Sequence, residues 1–240
     1  MREPIPVRPV VHYMMGGIDT TLEGASPLPG LYAAGECACV SINGANRLGS
    51  NSLPELLVFG ARAGRNAAEW ARQHPELDTG ALEKQAGDEQ RRIADAFINK
   101  QGGTERLATL RTELQQATEA GCGIYRTEAS IREAAHRVAE LKDRLAGVKL
   151  DDHSLSFNTE LTAAFELEFM IDIAEALVEA ALERKESRGS HQRTDFPERD
   201  DEQFLKHSLA FRTADRPRIE YRDVVITNWP PAVRVYGRPH

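Results

Sequence analysis

Residues 42–53 read Ile-Asn-Gly-Ala-Asn-Arg-Leu-Gly-Ser-Asn-Ser-Leu. One arginine, Arg47, stands in a loop punctuated by Gly44, Asn46, Gly49 and Asn51, just ahead of an apolar run. A guanidinium is a planar fork of donors that meets a carboxylate in two parallel hydrogen bonds. A glycine-rich approach to a helix start leaves backbone N–H groups free, and the helix dipole adds partial positive charge there. The pattern therefore suits anion recognition, with a carboxylate at Arg47 and a phosphate or an electron-rich ring at Ser52-Leu53. The competing reading is an ordinary capped helix behind an arginine that bonds its own loop carbonyls. Glu36, just past a short apolar run, has the acceptor pair that two vicinal ribose hydroxyls need, or it is an exposed surface glutamate. His12, ahead of Tyr13 and the Gly16-Gly17 turn, reads as a ligand contact or as a core histidine.

The elements that must position these residues follow from pattern. Pro29-Gly30 marks a turn, and Gly30 to Ala34 is a short apolar run that predicts a buried strand. Ser52 and Glu55 have capping-box spacing, with Pro54 tolerated in a first turn. The run from Leu56 to Ala71 is apolar nearly all round, which predicts a buried helix, and Gly60 and Gly64 give it a smooth face for close packing. Beyond residue 76 the period becomes helical. Leu107, Leu110 and Leu114 share a face, as do Ile131, Ala135, Val138, Leu141 and Leu145. A last helix from about Asn158 to Arg184 carries Phe165, Phe169, Ile173 and Leu177 on one stripe. Breaks fall at Gly102-Gly103, Gly121 to Gly123 and Gly147, so the spacing fits a helical bundle. Residues 205–212 and 218–226 predict a hairpin around the turn-rich 213–217. The polar stretches 187–193 and 200–202 read as solvated surface, with a subunit contact as the alternative. The expected fold is α+β: residues 1–75 as the return segment of an α/β domain, 76–186 as a helical bundle, and 187–240 as a tail with a β-hairpin.

Composition narrows the function classes. The chain has 240 residues, 41% hydrophobic, with a formal net charge of −7. That charge argues against nucleic acid as a partner, which needs a basic face. Cys37, Cys39 and Cys122 give no disulfide framework and suit a reducing compartment. Cys37-Ala38-Cys39 lacks the second pair that a tetrahedral zinc site requires, so these read as structural thiols and no metal site is expected. No apolar run approaches the ~20 residues that span a bilayer. The start, with Pro4, Pro6 and Pro9, lacks the apolar core of a signal peptide and reads as an extended mid-domain segment.

Together, His12-Tyr-Met-Met-Gly-Gly17, Gly30-Leu-Tyr-Ala-Ala-Gly-Glu36, Gly44-Ala-Asn-Arg-Leu-Gly-Ser-Asn-Ser-Leu53 and Leu57-Val-Phe-Gly60 resemble the flavoprotein subunit of fumarate reductase and succinate dehydrogenase. The resemblance continues through Cys122-Gly-Ile-Tyr-Arg-Thr127, Arg184-Lys-Glu-Ser-Arg-Gly189, Arg199-Asp-Asp-Glu202, Phe204-Leu-Lys-His-Ser208 and Pro230-Pro-Ala-Val-Arg-Val-Tyr236. Leu209-Ala-Phe211 and the ending near Tyr236-Gly237 look more like the fumarate reductase branch. L-Aspartate oxidase shares the first motifs but fits the long tail less well.

The resemblance implies interconversion of fumarate and succinate by hydride transfer at FAD. It implies His12 and Arg47 as dicarboxylate ligands, Glu36 as the FAD ribose ligand, and Ser52 and Leu53 against the isoalloxazine. It implies an iron–sulfur subunit and membrane anchor subunits as partners, with the flavoprotein peripheral at the cytoplasmic side of the inner membrane. The family usually carries histidine where Asn43 stands. Its dinucleotide turn, G-x-G-x-x-G, does not occur in this sequence. The resemblance places that turn, the histidine that bonds FAD and the proton-donating arginine in an N-terminal half. The chain then reads as the C-terminal part of such a subunit, with no catalytic residue of its own and inactive alone. The alternative is a non-catalytic remnant or interaction module.

Overall fold

The computed structural model describes residues 4–7, 10–76 and 79–232. The chain divides into two compact units, 1–77 and 78–240. The tail motif from residue 233 onward, and Pro9 of the proline-rich start, lie outside the described residues.

The first unit has little regular structure. Strand β1 (Ile18–Asp19) pairs in parallel with β2 (Ala38–Cys39), with Ile18 opposite Ala38. The run 30–34 does not form the expected strand. Only Tyr32 pairs, in a single bridge to Ala25, and Leu31 is 44% exposed. The physical reason is at its ends, where Gly30 (φ 83°) and Gly35 (φ 84°) turn the chain out of the extended region.

Helix α1 (Ser52–Gln73) closes the unit. Its N-cap is Asn51, whose side chain makes no capping bond, so the expected Ser52–Glu55 box does not form. The helix is also not buried all round. Glu55 and Ala63 are its buried residues, while Leu53 and Leu57 are 66% and 76% exposed. One side meets the preceding loop closely: a Cβ on Gly24 would lie 2.5 Å from that of Ala63. On the other side, a Cβ on Gly60 or Gly64 would meet nothing within 4 Å.

The second unit is built on α3 (Leu107–Cys122), α4 (Glu128–Leu145) and α5 (Thr159–Glu183). Leu110, Leu114, Ile131, Val138, Leu141, Leu167 and Ile171 are at most 2% exposed and form one core. Each such side chain contributes about 1.5–3 kcal/mol by leaving water. On α5 the core face is Ala164, Leu167, Ile171, Ala174, Val178 and Ala181; of the expected stripe, Phe165 and Leu177 pack against this core, whereas Phe169 and Ile173 are 63% and 51% exposed. A strict four-residue step drifts round a 3.6-residue helix, whereas alternating steps of three and four stay on one side.

The caps are explicit. Thr127 Oγ1 accepts from Ser130 N at 3.1 Å and Ser130 Oγ accepts from Thr127 N at 3.0 Å, a reciprocal box at the start of α4. Asn158 Oδ1 accepts from Leu161 N at 2.7 Å, and its amide donates to Asp152 O and Ser154 O, closing the loop ahead of α5.

Helix α2 (Thr79–Ile93) buries no residue. A single π-helical turn, Ala94–Ile98, follows it and seats Phe97, 3% exposed, edge-on against Phe165 at 5.9 Å. The expected hairpin forms from β5 (Lys206–Phe211) and β6 (Arg218–Asp223), antiparallel with Lys206 opposite Asp223. Strand β3 (Tyr125–Arg126) and β4 (Gln192–Arg193) make a short parallel pair, and α6 (Asp201–Phe204) leads into the hairpin.

Of the stretches expected to be solvated surface, Asp201 and Glu202 are exposed, but 187–193 is largely buried or half-buried in a charged network with the end of α5. Glu186 is 0% exposed and accepts from Arg184 Nη1 at 2.7 Å, Arg188 Nε at 2.8 Å, Arg188 Nη2 at 2.9 Å and Asp200 N at 2.9 Å. Arg184 also donates to Phe204 O at 2.8 Å and Lys206 O at 2.7 Å, fixing the hairpin to the end of α5. Arg193, 1% exposed, forms a two-bond pair with Asp195 at 2.7 and 2.8 Å, and this pairing holds the Asp195 carboxyl well below the usual range. Asp195 in turn accepts from Glu128 N at the start of α4 at 2.7 Å. Composition suggested surface because charged residues are rarely buried singly, but here Arg184, Glu186, Arg188 and Arg193 are paired and hydrogen-bonded.

His191 sits inside this network. Its Nδ1 lies 2.9 Å from Arg126 Nη1 and its Nε2 3.1 Å from Arg184 O. Arg126 can only donate, so the ring accepts at Nδ1 and donates from Nε2, the neutral tautomer. Burial first, and the charges of Arg126, Arg184 and Arg193 after it, push its pKa down to about 4.

Two outcomes follow. Removing the Glu186 carboxylate leaves the largely buried Arg184 without its carboxylate partner and Arg188 with Asp201 alone. Glu186→Ala is therefore expected to destabilise the chain by about 3–5 kcal/mol, measured by denaturant unfolding. His191 binds a proton more readily unfolded than folded, so its contribution is complete above the unfolded pKa of about 6.5 and declines as pH falls toward 4. Replacing it with glutamine is expected to flatten that part of the stability–pH curve, recorded as thermal midpoints from pH 7 to 4.

Candidate functional site

The short β1–β2 pair brings the 12–17 segment beside residues 36–39. Ile18 N donates to Cys37 O at 2.9 Å and Thr20 N to Cys39 O at 3.2 Å. Gly17 makes this approach possible: at φ 132° a Cβ would stand 2.5 Å from the Cys37 carbonyl oxygen. The same approach lets Met14 N donate to Glu36 Oε1 at 3.0 Å, so one oxygen of Glu36 is engaged by backbone. Glu36 itself is exposed.

A cluster forms where the turn meets the loop and the helix start. Tyr13 OH donates to Glu55 Oε2 at 2.9 Å, and Asn43 Nδ2 donates to the same oxygen at 2.8 Å. Glu55 is only 2% exposed. Its charge lies in the first turn of α1, where the helix dipole favours an anion. Burial, then the bond to Glu55 and the charges of Glu55 and Glu36, push the Tyr13 phenol above the usual tyrosine range, against the opposing pull of Arg47. Tyr13 thus remains a neutral donor at ordinary pH.

Arg47 lies over the Tyr13 ring, its Cζ 4.6 Å from the centroid. Cation and ring face attract, by about 0.5–2 kcal/mol depending on desolvation. One Nη donates to Leu48 O at 3.1 Å, while Nε is buried with no acceptor. Asn43 Oδ1 is likewise buried with no donor. Both unmatched atoms belong to the loop that sequence singled out, and buried polar atoms are seldom left so.

The site residues expected from sequence are distributed as follows. Arg47 is half-buried in the cluster. His12 is exposed and immediately precedes Tyr13. Ser52 is half-buried and Leu53 is 66% exposed at the start of α1. The first backbone bond of this helix is Glu55 N to Asn51 O at 3.2 Å, and Asn51 supplies no side-chain cap, so the Ser52–Leu53 turn is an uncapped N-terminus. Tyr13 and Glu55 were not foreseen. The Ser52-x-x-Glu55 spacing pointed Glu55 toward the helix backbone, whereas its partners are 42 and 12 residues away. Asn43, where the resembled family usually has histidine, proves to be one of those partners.

Residues 111–236 match the family described as fumarate reductase flavoprotein C-term, and residues 1–53 match an FAD binding domain. The chain belongs to the fumarate reductase flavoprotein family. It is 56% identical over 240 residues to the fumarate reductase flavoprotein subunit of Mycobacterium tuberculosis, covering 98% of this chain and 41% of that protein. To the Escherichia coli K12 subunit it is 49% identical, covering 99% of this chain and 40% of that protein. A solved structure of E. coli quinol fumarate reductase FrdA superposes with a TM-score of 0.92 at 48% identity, over 98% of this chain and 40% of that one. The chain thus spans about two fifths of the length of these fumarate reductase relatives.

The close approach at Gly17 gives a direct test of the site's framework. Gly17→Ala adds a methyl against a backbone oxygen in a left-handed conformation. It is expected to destabilise the first unit by more than about 1 kcal/mol, read as a lower thermal midpoint and faster proteolysis within residues 10–40.

Proposed function

We propose that this chain forms part of a flavoenzyme that interconverts fumarate and succinate, contributing one wall of the dicarboxylate site and part of the FAD site. Family membership supports the reaction class. The observation that carries the site is Arg47: a guanidinium seated on an aromatic ring, with a buried Nε that no protein acceptor satisfies. A substrate carboxylate is the acceptor that such a donor suits.

In this reading Arg47 and His12 bind the carboxylates of the dianionic substrate, which needs donors at both ends. The Tyr13 ring orients the guanidinium. FAD, when bound, supplies hydride exchange at its N5. The residues present fit that group. Glu36 keeps one carboxylate oxygen free of the Met14 bond for ribose hydroxyls. The uncapped turn at Ser52 and Leu53 presents amides and a positive dipole end to the isoalloxazine. A Cβ on Gly44 or Gly49 would meet nothing within 4 Å, so the loop leaves space on that side. No residue of this chain is assigned as proton donor.

The partners in this reading are an iron–sulfur subunit and membrane anchor subunits, with the flavoprotein peripheral at the cytoplasmic face of the inner membrane. A relative bears the description quinol-fumarate reductase with menaquinol molecules, which supports exchange of electrons with a quinone pool. No helix among the described residues is long and apolar enough to cross a membrane.

Arg47→Lys tests the assignment. A point charge cannot reproduce the fork or its seat on Tyr13. In the assembled flavoenzyme containing this chain, kcat/KM for fumarate is expected to fall about a hundredfold, the loss of about 3 kcal/mol of charged hydrogen bonding. Unchanged steady-state kinetics with full flavin content would remove Arg47 from the substrate site.

A further inference from the structure

We infer that Glu55 is a positioning residue of the dicarboxylate site, acting on Arg47 through Tyr13 and Asn43; this rests on the proposed substrate role of Arg47. Glu55 is an almost completely buried carboxylate whose Oε2 takes both the Tyr13 hydroxyl and the Asn43 amide. Burying a carboxylate is costly unless fixed donors replace water. Here the replacement comes from two groups belonging to the two chain segments that flank Arg47. Tyr13 is the platform beneath the guanidinium. Asn43 lies four residues before Arg47 in the same loop.

One oxygen atom therefore sets two coordinates of the guanidinium. The hydroxyl bond fixes the in-plane direction of the Tyr13 ring, and with it the face that Arg47 covers at 4.6 Å. The amide bond fixes the start of the loop, which has a left-handed turn at Gly44 (φ 57°) and another at Ser50 (φ 67°). Glu55 itself is anchored in the first turn of α1, the most regular element of this unit. Two of the three buried side-chain atoms left unmatched among the described residues, Asn43 Oδ1 and Arg47 Nε, sit on the residues that Glu55 holds directly or through Tyr13. A misplacement of about 1 Å in such a group can cost a hundredfold in rate.

The test measures the inhibition constant of malonate, as a dicarboxylate probe, alongside KM and kcat for fumarate in the assembled flavoenzyme. Tyr13→Phe removes only the hydroxyl, and Glu55→Ala removes the acceptor. Each is expected to weaken malonate and raise KM about tenfold, with flavin content and kcat much less affected. Glu55→Gln, whose carbonyl still accepts from both donors, is expected to recover most of the loss. In an Arg47→Ala background, Glu55→Ala is expected to cost nothing further in malonate affinity. Unchanged affinity in Tyr13→Phe, or an additive loss in the Arg47→Ala background, overturns the inference. If Glu55→Ala does not fold, Tyr13→Phe and Glu55→Gln decide on the same readouts. An Arg47→Ala variant with unaltered malonate affinity sinks the substrate reading itself. A loss at Arg47→Ala with none at Tyr13→Phe sinks only the role of Glu55.

Discussion

A carboxylate with no exposed surface organises the larger unit. Glu186 accepts from Arg184, Arg188 and the Asp200 amide, and Arg184 reaches onward to the carbonyls of Phe204 and Lys206. The end of α5, the irregular 187–200 segment and the entry to the hairpin are thereby held by one set of charged groups. Side chains of the bundle need only exclude water to find their places. The 187–200 segment has no such drive, because its composition is polar. Its shape depends on directional bonds that are satisfied together or not at all. The smaller unit shows the same solution on a reduced scale. There Glu55 joins two loop segments that share almost no regular hydrogen bonding.

This division explains what was legible in the sequence. Apolar periodicity placed the helix ending the bundle at 158–184, and the structure gives Thr159–Glu183 with Asn158 as cap. It placed Leu110, Leu114, Ile131 and Val138 in the core, where they are. The hairpin was read from two β-type runs about a turn. The failures occurred where a local pattern has two meanings. A glutamate three residues after a serine looks the same whether it caps a helix or accepts from a tyrosine 42 residues earlier. A cluster of arginines and carboxylates looks like surface until pairings such as Glu186 with Asp200 N are known.

The candidate site was legible to a similar extent. Arg47 was visible because glycine and asparagine around an arginine restrict what that loop can be for. Its platform was not, since Tyr13 lies next to the histidine that drew the eye and carries no spacing signal of its own. Family likeness suggested positions without explaining how they are held, and the hydrogen bonds of Glu55 to Tyr13 and Asn43 show how the two loop segments are tied to the start of α1.

The π-helical turn at 94–98 separates neighbours in sequence into different degrees of permanence. Helix α2 buries nothing; exposed ion pairs such as Arg92 with Glu89, and the Arg92–Glu168 link to α5, are the charged contacts that support it. Phe97, one turn later, is part of the core. Amide exchange in α2 can proceed by local opening that leaves the core intact, whereas exposing Phe97 itself requires the bundle to open. The widened turn is thus a seam in cooperativity, between a helix that can open alone and an anchor residue that opens only with the bundle.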